Sequence, residues 1–483
     1  MNKRAVIHIV SYMTLVIGLA IFGCSAISHY LGDAPSVQRA FVSSGLLIVI
    51  LSAVLAALTR GAVSLGRREG FGVVTIGWIS VAIVGALPYL FSGVIPEVIP
   101  ALFETVSGFT TTGSTVLGRL EDVPRGILFW RALTHWFGGM GVLVLCVAIL
   151  PFLGVGGMQI YRAEIPGPFK DRLTPQIATT AKLLWGVYVL LTLAETLFLM
   201  FLGGMGGFDA ICHAFSTVAT GGFSTKTASI AHYDSATIDG IITVFMFLAG
   251  ISFSLHHFAL IGRPLRYFKD PELRVYFLFL SGCIVFLTLN VWLDRSGSLS
   301  RSFRDACFTG TSILTTTGFC TADFDRWPEA SRFLLLGMMF VGGCAGSTSG
   351  GMKVVRVMVV FKKILREVKL FMRPSAVIQI KIGGKRVDQE VVTHISGFFA
   401  AFLIVFGIAS LLMTFYLPDL ESATSSVVAS LCNVGPGLNA VGATQNYAGI
   451  AAPGQAVLIV CMLLGRLELY TVLILFLPGL WKR

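Results

Sequence analysis

Four short stretches of this sequence set carbonyl- and hydroxyl-rich residues beside a glycine. They read Thr111-Thr112-Gly113-Ser114, Thr220-Gly221-Gly222-Phe223, Thr316-Thr317-Gly318-Phe319 and Asn433-Val434-Gly435-Pro436. Their third residues, all glycine, lie 109, 96 and 117 positions apart. Glycine permits backbone dihedrals that turn successive carbonyls the same way, and a ring of carbonyls can replace the hydration shell of a cation. The chemistry this implies is coordination of a monovalent cation by neutral oxygens, with no bond made or broken. One Thr-Thr-Gly means little, but four at the same point of four repeats form a pattern.

A second constellation surrounds Gly342-Gly343-Cys344-Ala345-Gly346-Ser347-Thr348-Ser349-Gly350-Gly351. Five glycines and three hydroxyl residues lower helix propensity, and the hydroxyls offer freed backbone groups alternative partners. An unwound intramembrane loop is expected, able to block or clear a path beneath the four quartets. The other reading is a small-residue face for close helix packing. Hydrolase chemistry is excluded by the missing Gly-x-Ser-x-Gly spacing. Arg466 sits in the apolar run Leu463-Leu464-Gly465-Arg466-Leu467-Glu468, where a permanent charge must face a cavity or a partner. Facing a path, it is an electrostatic barrier to cations. Glu468, two residues away, points to another side of the helix and is a poor partner for it. Lys353 reads either as a second positive group beside the loop or as a side chain snorkelling to the membrane surface.

The elements that must position these residues follow from composition. Of 483 residues, 55% are hydrophobic and only 13% charged, too few charges for a soluble surface. Ten apolar segments of spanning length are marked at about 5 to 30, 37 to 59, 71 to 95, 126 to 152, 180 to 204, 236 to 261, 273 to 293, 331 to 365 (interrupted), 394 to 417 and 454 to 478. Shorter half-polar segments begin at Pro100, Asp209, Ser302 and Glu421, each running into one of the quartets. These suit re-entrant helices, and irregular backbone at membrane depth is tolerated only where it is buried in protein or lines a cavity. The fold class is therefore all-α polytopic membrane protein, with about ten transmembrane helices and four helix–pore-helix–helix repeats in pseudo-fourfold arrangement. The units run 1–69 (two N-terminal helices), 70–174, 175–268, 269–389 and 390–483.

The net charge of +11 is explained by topology rather than nucleic acid. Basic groups at Arg60 to Arg68, Arg162 to Arg172, Arg263 to Arg274, Lys362 to Arg386 and Lys482-Arg483 follow paired crossings, which makes both termini cytoplasmic. The first helix is expected to remain uncleaved. Polar segments are short, the longest at about 368 to 391, leaving no room for a soluble catalytic or nucleotide-binding domain. Nine scattered cysteines without a CxxC pair suit packing positions rather than a metal site. Acidic residues such as Asp33, Glu121, Asp209, Asp325 and Glu329 fall in the outer segments, where they either concentrate cations or form ordinary surface pairs. His256 and His257 read as interfacial, His135 and His213 as packing residues.

The four quartets, the two extra N-terminal helices and the length together resemble a bacterial TrkH-type potassium transporter of the Trk/Ktr/HKT superfamily. The resemblance covers essentially the whole chain. It implies a potassium selectivity filter centred on Gly113, Gly222, Gly318 and Gly435. The flanking donors would be Thr111, Thr112, Thr220, Gly221, Thr316, Thr317, Asn433 and Val434. It also implies a gate at Gly342, Gly343, Gly346, Ser347, Thr348, Ser349, Gly350, Gly351, Lys353 and Arg466. Potassium would be the transported ion, with no other cofactor and no enzymatic activity. A homodimer in the bacterial inner membrane is implied, with a cytosolic TrkA-type nucleotide-binding subunit controlling channel-like flux down the electrochemical gradient. The alternative is a proton- or sodium-coupled symporter working by alternating access, for which Glu195 and Glu468 are the intramembrane acids available. A regulatory scaffold without flux leaves the four loops unexplained.

Overall fold

Hydropathy blocks become helices throughout the computed structural model, which describes residues 2–61, 66–141, 177–295 and 298–476. Helices α1 (Lys3–Tyr30) and α2 (Pro35–Leu58) form an N-terminal hairpin. They approach closely because Gly45 lies against the backbone of Phe22, where a Cβ would come within 2.8 Å of the amide nitrogen. Asp33, in the hairpin's turn, accepts the amides of Arg125 and Gly126 at 3.0 and 2.7 Å, so this acid is a cap for another helix rather than free surface charge.

Four successive units follow. The first comprises α3 (Arg67–Gly85), α4 (Leu87–Ser92), the short α5 (Val98–Phe109) and α6 (Arg125–Gly139). The second has α7 (Ile177–Phe201), the short α8 (Gly207–Val218), α9 (Ala236–Ala249) and α10 (Phe253–Leu260). A connecting α11 (Leu265–Lys269) leads to the third, with α12 (Pro271–Arg295), the short α13 (Leu299–Leu314), α14 (Glu329–Val341) and α15 (Val354–Met372). The fourth has α16 (Gln389–Met413), the short α17 (Leu420–Leu431), α18 (Ala452–Arg466) and α19 (Leu469–Leu473). Side-chain caps start two of the short helices: Ser298 accepts from the Arg301 amide and Asp419 from the Ser422 amide.

Between α15 and α16, strands β1 (Lys381–Ile382) and β2 (Lys385–Arg386) pair antiparallel across Gly383-Gly384, both at positive φ as a tight two-residue hairpin requires. Ile380, Ile382 and Val387 pack this hairpin on Val355, Val359 and Ile395, so the longest polar segment is anchored to the helices. The fold is otherwise all-α and polytopic. Among the described residues six helices are long and apolar enough to span a membrane, or seven if the bent pair α9 and α10 is one span.

Two segments expected to be continuous are broken. The 236 to 261 segment bends by 100° between α9 and α10, and the 454 to 478 segment breaks at Leu467-Glu468, whereas the 71 to 95 segment passes through Ala86 with helical backbone and counts as one span. The interruption expected at 342 to 351 is present, with α15 resuming at Val354. Freed backbone groups at these breaks find partners in one another: Gly250 O accepts from Cys344 N at 2.9 Å, and Gly346 O from Phe253 N at 3.0 Å. Breaks at membrane depth are tolerated on that condition. The continuation of α6 toward residue 152, and Arg162, Lys170, Arg172, Lys482 and Arg483, lie outside the described residues.

Candidate functional site

Each short helix ends the same way. The first residue of every quartet has a left-handed backbone: Thr111 (φ 55°), Thr220 (54°), Thr316 (58°) and Asn433 (54°). Its amide reaches back three residues, and the next amide reaches back five. Thr112 N donates to Ser107 O at 2.9 Å, Gly221 N to Ser216 O at 2.8 Å, Thr317 N to Ser312 O at 2.8 Å and Val434 N to Ala429 O at 2.8 Å. This is a Schellman cap, which consumes helix-end carbonyls locally and turns the chain sharply off the helix axis. Glycine normally takes the left-handed position of such a cap. Here threonine or asparagine takes it four times.

Glycine is reserved for the third position, where φ is 83° at Gly113, 80° at Gly222, 79° at Gly318 and 105° at Gly435. A side chain there would be strained, and it would also collide with a neighbouring loop. A Cβ on Gly113 would overlap the carbonyl oxygen of Gly221, one on Gly222 that of Thr317, one on Gly318 that of Val434 and one on Gly435 that of Thr112. Each glycine therefore abuts the second-position carbonyl of the next quartet in chain order, and the fourth returns to the first. The contacts close a ring. All the first- and second-position residues are buried, and cross-links brace the closure between loops four and one: Asn433 Nδ2 donates to Thr112 Oγ1 at 2.9 Å and Ser114 Oγ to Gly435 O at 3.0 Å. Four backbone oxygens gathered in one ring, with four helix C-termini behind them, can hold a dehydrated cation.

A cavity of about 490 Å³ adjoins the ring, lined by Asn433, Gly139, Phe253, Gly346, Lys353 and Arg466 among others. Across it runs the 342 to 353 segment. Gly350 N donates to Thr316 Oγ1 at 2.6 Å and Gly351 N to Cys432 O at 2.9 Å, so the segment bonds to quartet three and to the residue just before quartet four. Thr348 Oγ1 donates to Val218 O at 2.9 Å, at the end of α8. Arg466 closes the remaining side. Its guanidinium donates to Thr348 O at 2.8 Å and to Gly138 O and Gly139 O at 2.6 and 3.0 Å. It stands at the C-terminus of α18 rather than in mid-helix, where exposed carbonyls favour a cation. Lys353 is buried with φ 73° and turns its ammonium back onto the Ser349 carbonyl, which removes the snorkelling reading. All the residues expected to act together, in the four quartets and in the loop, are thus adjacent.

Glu272, Arg356, Glu104 and Arg131 carry charge at this site without standing out in the sequence. Glu272, in the first turn of α12, accepts the amides of Ala345 and Val355 at 2.7 and 3.1 Å, clasping both ends of the 342 to 353 segment. Glu468 pairs with Arg356 at 2.5 Å, with that guanidinium 4.4 Å from the Phe398 ring centre. Behind the ring, Glu104 of α5 and Arg131 of α6 form a fully buried pair at 2.5 Å. Glu104 also accepts the Val116 amide at 2.9 Å, and Arg131 donates to Ser224 O at 2.9 Å, so the pair ties together the exits of quartets one and two. The available signal was a charge of each sign in otherwise apolar runs, Phe129-Trp130-Arg131-Ala132 and Leu102-Phe103-Glu104. His213 is hydrogen-bonded to Asp209 O and Ser224 Oγ, and His256 is buried against Tyr267 rather than interfacial.

At the rim on the far side of the ring from the cavity, Glu121 accepts the Thr227 hydroxyl at 2.5 Å and the Thr227 amide at 3.0 Å. The hydroxyl and then the amide hold its carboxyl down to about 2 from the ordinary 4.5. Arg332 pairs with Glu421 at 2.5 Å and donates to Asn439 at 2.9 Å, linking the starts of α14 and α17.

Comparison with known proteins agrees with this architecture. Residues 37–482 match the family model described as TrkH, cation transport protein. The "Trk system potassium uptake protein TrkH" of Salmonella typhimurium is 46% identical over 423 residues, 86% of this chain and 87% of the relative. That of Halomonas elongata is 42% identical over the full length of both chains. The crystal structure of the potassium transporter TrkH from Vibrio parahaemolyticus superposes with a TM-score of 0.89 at 38% identity, covering both chains completely. With a family model spanning most of the sequence and relatives matched end to end, the chain belongs to the TrkH cation transport family.

Proposed function

We propose that this chain takes up potassium across a membrane, passing the ion through the ring formed by Thr111 to Gly113, Thr220 to Gly222, Thr316 to Gly318 and Asn433 to Gly435. The observation that carries the reading is the cyclic contact of each third-position glycine with the next loop's carbonyl. The relatives' names, potassium uptake proteins of the Trk system, supply the ion. Potassium sheds water at the carbonyls, enters the cavity and meets the 342 to 353 segment and Arg466. Those groups form the gate, closed in this arrangement by hydrogen bonds among all four units. A membrane potential contributes about 2.3 kcal/mol per charge per 100 mV, enough to accumulate the ion without a coupled solute. The same reading places the chain in a bacterial inner membrane with cytoplasmic termini, as a homodimer controlled by a cytosolic TrkA-type subunit.

The coupled-symport alternative needs a titratable acid in the path. Glu468 is engaged by Arg356 and Glu272 by the Ala345 and Val355 amides, and Glu195, buried in α7, is not among the residues lining the cavity. Purified protein in liposomes distinguishes the two: rubidium uptake is measured under an imposed potential, with and without proton and sodium gradients. Uptake that follows the potential alone supports the channel-like reading. Uptake that vanishes without a proton or sodium gradient overturns it.

A further inference from the structure

The four loops are not braced alike. In the first, the Thr112 hydroxyl bonds the Thr110 hydroxyl at 2.7 Å, and in the third Thr317 bonds Thr315 at 2.8 Å. A Thr-x-Thr pair thus stiffens the second position from behind. The fourth loop has Cys432 and Val434 at the same places, both buried, filling the space with apolar volume. The second loop has Ala219 and Gly221, which supply neither hydroxyl nor bulk. Gly221 lies outside the left-handed region, so its backbone does not require glycine.

What requires glycine there is His135. A Cβ on Gly221 would overlap the imidazole Nδ1, with Cγ and Cε1 also too close. The ring comes from α6, is fully buried, and stacks on Phe223 with centroids 3.9 Å apart and planes 24° from parallel. Phe223 is the residue after Gly222, and the Arg131 guanidinium carbon lies 3.5 Å from its ring centre. Neither ring nitrogen of His135 has a hydrogen-bond partner among the described residues. The imidazole therefore acts through its shape and its stacking face. It occupies the space that a threonine side chain fills in loops one and three.

We propose that His135 is the positioning residue that fixes the Gly221 carbonyl, and so a determinant of ion selectivity supplied from outside the four quartets. This rests on the reading of the quartets as the filter. Selectivity depends on the size of the carbonyl cage and on the number and field strength of its oxygens, so letting one of four carbonyls move alters which ion fits while leaving a path. A purely structural role would change stability and leave the ratio of ions alone.

The test compares full-length wild type, His135→Ala, Gly221→Thr, His135→Ala/Gly221→Thr and Gly318→Ser in liposomes. Potassium-to-sodium permeability ratios and melting temperatures are read for each. His135→Ala should lower the ratio about tenfold, equivalent to about 1.4 kcal/mol of differential binding. Gly221→Thr alone should disrupt flux through collision with the ring. The double variant should return the ratio to within about twofold of wild type, because threonine then fills the vacated space as it does at Thr112 and Thr317. If His135→Ala does not assemble, the double variant decides: assembly with a wild-type ratio supports the assignment, and failure or a low ratio overturns it. A wild-type ratio in His135→Ala alongside a lowered ratio in Gly318→Ser overturns the role of His135 and leaves the filter reading intact. Unchanged ratios in both variants overturn the filter reading and this inference with it.

Discussion

Arg466 donates to the carbonyl of Thr348 while the Thr348 hydroxyl donates to Val218, so one residue of the intramembrane segment is held from both ends by two different units. The Arg466 guanidinium extends the same network to Gly138 and Gly139. In the proposed gate this guanidinium would do two things: repel potassium from the cavity through its charge, and hold the segment in place through its hydrogen bonds. On that reading, opening would break these bonds together, because Thr348 is bonded to two units and its partner Arg466 is bonded to a third.

Arg466→Gln should therefore raise basal rubidium flux in liposomes lacking any regulatory partner. Hydrogen bonds to charged groups contribute about 1.5–3 kcal/mol each. Losing even one would shift a closed-to-open equilibrium about tenfold, since about 1.4 kcal/mol is a factor of ten. Flux equal to wild type would mean that the segment is held by other contacts.

Glu272 predicts the same direction by a different route. Its carboxylate accepts the Ala345 and Val355 amides from the two ends of the segment. Glu272→Ala leaves both amides without that acceptor and should increase basal flux several-fold, with faster hydrogen exchange at residues 343 to 353. Glu272→Gln retains an acceptor oxygen and should fall between. The ordering of alanine, glutamine and wild type is the readout.

Gly222→Ala places a methyl group against the Thr317 carbonyl at a backbone φ of 80°. The left-handed conformation costs alanine about 1–2 kcal/mol, and the collision adds to it. Rubidium flux should fall by at least about tenfold with little change in detergent-solubilised oligomer size. Full flux would remove the ring from the ion's path.

Much of this arrangement was legible from residue types. The quartets announce themselves because Thr or Asn followed two residues later by Gly recurs at the same point of four repeats, and the Gly is required by its positive φ and the carbonyl against it. The 342 to 351 segment was legible because five glycines cannot sustain a helix. Breaks at Gly250-Ile251-Ser252 and Leu467-Glu468 were not, since they interrupt hydropathy by only a residue or two. At the first of them the freed groups are satisfied through tertiary contacts: Gly250 O and Phe253 N find partners at Cys344 and Gly346, far away in sequence. His135 was legible as a packing residue but not as the neighbour of Gly221, because no periodicity records which helix backs which loop. Glu104 and Arg131, 27 positions apart, gave two separate oddities whose pairing only the fold reveals.

The buried pair yields a stability prediction. Arg131→Met leaves Glu104 uncompensated in a site fully removed from water, which should cost about 3–5 kcal/mol and lower the melting temperature markedly. Arg131→Met/Glu104→Gln removes both charges and should recover part of the loss. If the single variant melts like wild type, the pair does not hold the exits of quartets one and two together.

Acid sensitivity at the rim follows from Glu121 and Thr227. The Thr227 hydroxyl and amide hold the Glu121 carboxyl down to about 2 in the folded chain, against an ordinary 4.5. A folded value below the unfolded one stabilises the fold above the unfolded value, and that contribution is lost as pH falls from about 4.5 toward 2. Because Glu121 is solvent-exposed, water and salt screen the effect and its size is small. Thr227→Val deletes the hydroxyl, the larger of the two causes, and should bring the Glu121 carboxyl back toward its ordinary value. Wild type should then lose more melting temperature than Thr227→Val between pH 6 and pH 3, because only wild type has this stabilisation to lose. Parallel melting curves for the two proteins across that window would show that the link between the exits of quartets one and two does not depend on this hydrogen bond.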